Sequence, residues 1–133
     1  MRRALAGLVL LAGCTAAEGA PAPECDASWR EVESLVVTPV AELERAVALD
    51  CIRQVDDRRI RIGFRLPAGP DCWVLGDYDL VETADAVAVT LFVARTDDPA
   101  AGACAPDERR AATEIDLQAP VDERVLLDGS VAD

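Results

Sequence analysis

The chain has no histidine and no lysine in its 133 residues. Without histidine, neither a Ser-His-Asp nor a Cys-His relay can be assembled from its own side chains. A His-ligated zinc or copper centre is excluded on the same ground. Aromatics are scarce: two Trp, two Phe and one Tyr. The core must therefore come from Val, Leu, Ile and Ala, and in one small domain so thin a core gains from covalent staples. Positive charge is confined to 13 arginines against 25 acids, a formal net charge of −12. So acidic a chain repels phosphate backbones and anionic lipid surfaces, which argues against nucleic acid as a partner and against electrostatic adhesion to a membrane. No apolar run reaches the roughly 20 residues of a spanning helix. There is no Gly-rich phosphate loop, Gly63 and Gly76 being isolated. There is also no Cys-x-x-Cys spacing, so neither a thioredoxin-like centre nor a zinc knuckle is indicated.

What is present begins with Met1-Arg2-Arg3 and the apolar run Ala4 to Ala12, closed by Gly13-Cys14. A basic start, a short apolar segment and a small-residue end have the anatomy of an export signal. Leu11-Ala12-Gly13-Cys14 resembles the lipobox of bacterial lipoproteins. The resemblance implies cleavage before Cys14 and a thioether-linked diacylglycerol on its sulfur. Two acyl chains hold a protein where one binds only marginally, so no basic patch would be needed for membrane retention. Removing residues 1–13 takes away Arg2 and Arg3 and no acid, leaving 11 arginines against 25 acids, formally −14. The chain has five cysteines; lipidation of Cys14 would leave an even set, Cys25, Cys51, Cys72 and Cys104, in an oxidising location.

Residues 14–24 read as a lipidated cysteine and a flexible Ala/Pro tether, able to reach roughly 33 Å if its ten residues after Cys14 were extended. Residues 25–129 read as one domain, and 130–133 as a tail. Within the domain the dominant period is two. Strand-like runs cover Glu31 to Thr38, Val47 to Val55, Arg59 to Leu66, Cys72 to Glu82, Ala86 to Arg95, Ala111 to Leu117 and Arg124 to Leu127. Ile60, Ile62, Phe64 and Leu66 alternate with Arg61, Gly63 and Arg65, as in a half-buried strand of an antiparallel sheet. Val40 to Leu49 is the one helical candidate, at most a short turn. Asp56 to Arg58 and Thr83 to Asp85 read as hairpin turns, Pro67 to Asp71 and Asp97 to Glu108 as loops. The expectation is an all-β antiparallel β-sandwich, immunoglobulin-like, of about seven strands.

Centring a hairpin on Thr83 to Asp85 pairs positions whose numbers sum to about 168, which sets Cys72 against roughly Thr96. Cys104, in the loop that begins there, can then fold back to Cys72, leaving Cys25 to Cys51. The other two pairings of four cysteines stay open at this point. Trp73, next to Cys72, is placed as a cover for that disulfide.

Two constellations carry candidate chemistry. Asp77 and Asp79 project from one face of a strand, roughly 6.8 Å apart. Such a pair could hold Ca²⁺ or act as acid and base, though a solvated face is the simpler account in so acidic a protein. Arg53, Arg61 and Arg65 share an outward face with Arg59 near its turn, and could receive a carboxylate or phosphate; exposed ion pairs are the simpler account here.

From Cys72 onward a further resemblance emerges, in Val81-Glu82-Thr83, Val87 to Thr90, Cys104, and Leu117, Pro120, Val121, Arg124, Leu126 and Asp128. These resemble a pattern in small uncharacterised lipoproteins and secreted proteins of high-GC Gram-positive bacteria. This chain has Val121-Asp122 where those tend to have Leu-Gly. The resemblance implies an exported β-domain and carries no activity; Glu82 and Arg124 are placed as an ion pair across the sandwich. The expectation is a lipid-anchored extracytoplasmic protein that binds or presents a surface without catalysis, with no cofactor or metal and with an envelope protein as the candidate partner. Two alternatives are a carboxylate-based envelope enzyme using Asp77 and Asp79, and a structural or inhibitory accessory subunit.

Overall fold

Alternation along the chain is realised as two stacked sheets in the computed structural model, which describes residues 16–67, 72–96 and 108–131. The strands are β1 (Ala20–Pro21), β2 (Arg45–Val47), β3 (Leu49–Asp56), β4 (Arg59–Leu66), β5 (Trp73–Glu82), β6 (Ala86–Arg95), β7 (Arg109–Asp116) and β8 (Val125–Asp128). Sheet I is built on β6, with β5 along one edge and β2 and β8 end to end along the other; β1 lies outside β8. Sheet II runs β3-β4-β7. The fold is the all-β sandwich that the period of two predicts.

Ile60, Ile62, Phe64 and Leu66 of β4 and Val87, Val89, Leu91 and Val93 of β6 are all buried in one core. Each such side chain contributes about 1.5–3 kcal/mol relative to exposure. Aliphatic residues, mostly β-branched, thus supply most of a core poor in aromatics. The Thr83 to Asp85 hairpin forms as expected: Glu82 pairs with Val87 and Trp73 with Arg95, and the Thr96 amide donates to the Cys72 carbonyl at 2.9 Å. A bulge between Leu75 and Asp77 shifts the inward parity from odd to even residues.

All the ladders are antiparallel except β6 with β8, where Ala86 faces Val125 in parallel. The chain crosses from sheet I to sheet II between β6 and β7 and returns at β8; two reversals leave β8 running with β6. That return buries Leu117 and Val121.

Three sequence expectations are corrected. Glu31 to Thr38 is not a strand but a strap across an open side of the sandwich, bridged to β7 at Ser34 and to β5 at Thr38. Val40 to Leu49 contains no helix. Its Arg45–Val47 part completes sheet I against Val93 to Leu91, a tertiary pairing that overrides modest helix propensity. The tether is the third: Ala20 pairs with Asp128, the Ala22 amide donates to Leu126, and Glu24 bridges Ile52. Gly19 is left-handed at φ +147, and a Cβ there would stand 2.3 Å from the Asp128 carbonyl oxygen. A backbone so close to β8 requires glycine. Packing onto the fold therefore begins before residue 25, within the segment read as a tether. A short 3₁₀ turn at Ala27–Trp29, capped by Asp26, was not foreseen.

Candidate functional site

The strap is where the described surface is both apolar and concave. Arg61, its side chain 14% exposed, reaches from β4 to hold the strap. Its guanidinium donates to the Val32 carbonyl at 2.9 Å and to Ser34 Oγ at 3.2 Å. Thr113 Oγ1 donates to the Leu35 carbonyl at 2.8 Å, and Leu35 N–H to Ala112 at 2.7 Å. At the far end Thr38 N–H donates to Leu75 at 2.8 Å. Strand-like alternation then does its usual work: Leu35 and Val37 pack on the core, while Val36 is 80% exposed. Between strap and β5 lies a groove of about 250 Å³ lined by Ser34, Leu35, Val36, Thr38, Trp73, Val74 and Leu75. Trp73 is packed on the core, and the guanidinium groups of Arg45 and Arg95 lie 5.4 and 5.6 Å from its ring centroid. Arg95 also sits 4.0 Å from Glu44. The groove is smaller than the roughly 300–1,000 Å³ of small-molecule sites and suits one or two apolar side chains of a partner.

The arginine face gathers as expected and is largely occupied by acids. Arg59 Nε donates to Asp116 at 2.8 Å, Arg61 lies 3.5 Å from Glu114, and Arg65 Nε donates to Asp50 at 3.1 Å with Glu108 at 3.8 Å. The hydrogen bond and charge of Asp116 raise the Arg59 pKa above its ordinary value. Arg53 faces Arg61 across the β3–β4 ladder and has no hydrogen bond or ion pair among the described residues. Glu114 and Asp116 face Arg61 and Arg59 across the β4–β7 ladder, which no local pattern announces.

Asp77 and Asp79 share the exposed outer face of sheet I, where Asp77 Oδ1 accepts only the Tyr78 amide, at 2.7 Å. No cluster of three metal-ligating side chains occurs among the described residues.

Glu82 and Arg124 do form an ion pair, at 3.1 Å, their side chains 15% and 8% exposed. It spans strands of one sheet, not the sandwich, and a loop from sheet II closes over it: Gln118 N–H donates to Glu82 at 2.8 Å. Arg124 also donates to the carbonyls of Thr83, Ala119 and Pro120. Every guanidinium nitrogen has an acceptor, so this network holds the fold and offers nothing to a ligand.

Cys25 and Cys51 are disulfide-bonded, with Cα atoms 4.8 Å apart. Cys72 is also disulfide-bonded; the expected partner Cys104, and Cys14, lie outside the described residues. Trp29 is seen against the Cys25–Cys51 disulfide. Cys51 Sγ and the Trp29 ring both come within 2.7 Å of where a Cβ on Gly63 would stand. Arg110 then covers Trp29 at 3.8 Å from the ring centroid. The sequence signal was Trp29 itself, four residues after Cys25.

Compared with protein-family models, curated proteins and solved structures, the chain matches none of them.

Proposed function

We propose that the protein is a lipid-anchored extracytoplasmic β-sandwich that works by binding, with the groove beside the strap as its contact surface. The observation that carries the anchor is the cysteine count joined to the signal-like start. Cys25–Cys51 and the bonded Cys72 involve three of the five cysteines; pairing of Cys72 with Cys104 would leave Cys14 alone, in a lipobox-like sequence where a thioether would consume its sulfur. Disulfides also suit an oxidising compartment outside the cytoplasm. Mass analysis of the mature N-terminus tests this directly. A diacylglyceryl-modified Cys14 is expected; an unmodified Cys14, or cleavage elsewhere, overturns it.

Binding without catalysis is supported by where the polar groups sit. Asp77 and Asp79 stand on a solvated face, most of the clustered arginines are matched by acids, and the apolar groove beside the strap carries Val36 outward. An accessory subunit of an envelope complex would use the same groove. A photo-cross-linking residue at Val36, placed in intact cells, is expected to capture one discrete protein. The same probe at Asp79 should not capture it; equal capture from both positions would sink the groove.

A further inference from the structure

We infer that the anchored domain is oriented, with the Thr83–Asp85 end of the outer face of sheet I lying against the lipid headgroups and sheet II turned outward. This rests on the lipidation of Cys14 proposed above. Ala17 packs on the cluster of Ala86, Ala88 and Leu127, as does Val81. Two residues later Gly19 is pinned to the Asp128 carbonyl, and β1 follows in register with β8. Only three peptide links therefore separate Cys14 from a residue seated on the domain. Fully extended they span roughly 10 Å.

That length decides the orientation. The two sheets of a sandwich stand roughly 10 Å apart before their outer side chains are counted. A link of the same length cannot pass around the domain to bring sheet II to the lipid. The patch beneath the link is small and apolar: Val125, 49% exposed, continues the face formed by Leu127, Ala88 and Val81. Its rim is acidic, with Glu18, Asp79 and Asp85 exposed. Arg124, beside it in the chain, is committed to the Glu82 network. Electrostatic attraction does not draw this rim to anionic lipid; the covalent link holds it there. The strap, Arg61 and the arginine–acid face of sheet II then project away from the membrane, toward partners.

The acids on both faces permit a test with the native side chains. The lipidated full chain is placed in phosphatidylethanolamine/phosphatidylglycerol vesicles and its carboxylates are labelled with a carbodiimide and an amine. Sites are quantified by mass spectrometry. The comparison is the same chain with about fifteen Gly/Ser residues inserted between Thr15 and Ala16, a segment with a root-mean-square span of roughly 20 Å. Glu18, Asp79 and Asp85 are expected to label severalfold more slowly with the native link than with the long one, while Glu114 and Asp116 label alike in both. Equal labelling of Glu18, Asp79 and Asp85 in the two forms overturns the orientation while leaving the anchor standing. Protection of Glu114 and Asp116 instead overturns it too. A chain that fails to float with the vesicles overturns the anchor, and the orientation with it.

Discussion

Arg124 shows how one side chain can close a fold at a seam. It joins the Glu82 carboxylate to the carbonyls of Thr83, Ala119 and Pro120, so the hairpin after β5 and the return from sheet II are fastened together. Removing one partner strands the other charge in a place of little solvent. Glu82→Ala is expected to cost about 3 kcal/mol in a urea-unfolding measurement. The pair replacement Glu82→Leu/Arg124→Met should cost clearly less, because no buried charge is then left over. Asp26 works at the opposite extreme of exposure. Its carboxylate accepts the Ser28 hydroxyl and the Ser28 amide at the start of the 3₁₀ turn. Those hydrogen bonds, the side-chain one first, hold its pKa below the usual 3.8. A depressed folded pKa means that the cap's contribution is present above 3.8 and is lost as pH falls through the lowered value. An NMR titration of the Asp26 carboxyl should show a midpoint below 3.8; a midpoint at or above it would remove the cap from the account.

The strap is an element that neither sheet owns. Its ends are fixed to β7 and β5, and Arg61 clamps the β7 end at Val32 and Ser34. Arg61→Ala should therefore loosen it selectively: faster amide exchange at Leu35 and Thr38, a global stability loss of about 1–3 kcal/mol from the hydrogen bonds removed, and unchanged exchange at the β5–β6 ladder. Uniformly faster exchange would mean that the clamp belongs to the core. The sequence could be read wherever burial obeys a local period. Arg59–Leu66 and Ala86–Arg95 came out to the residue, and the hairpin sum set Cys72 against Thr96 as found. It could not be read where long-range geometry decides. The alternation of Leu35, Val36 and Val37 is that of a strand, yet the segment crosses between sheets and makes single bridges to each. Arg45–Val47 became a strand because β6 had a free edge beside it. Glu114 and Asp116 meet the arginines only because β7 pairs with β4, and that pairing is written nowhere near either.

Across the whole molecule, scarcity of aromatics is offset by covalent links. Cys25–Cys51 closes a loop with a sequence separation of 26 residues, for which chain entropy gives about 3.5 kcal/mol as an upper-end figure. Cys25→Ala/Cys51→Ala is expected to lose about 2–4 kcal/mol, read as a lowered urea midpoint under oxidising conditions; a loss below 1 kcal/mol would place the stabilisation elsewhere. The candidate surfaces were legible in part. The arginine face of β3 and β4 followed from the period of two, while the groove beside the strap did not, because its two walls lie far apart in the chain. The same disulfide gives the N-terminal segment a mechanical character. A pull on the N-terminus would first peel β1 from β8 and lift Glu24 from Ile52, a few backbone hydrogen bonds yielding one after another. At Cys25 the peeling stops, because the next link is covalent and hands the load to Cys51 near the start of β3. Tension applied at the N-terminal side is thus passed to sheet II as a whole, and the core between the sheets is spared from being unthreaded end first.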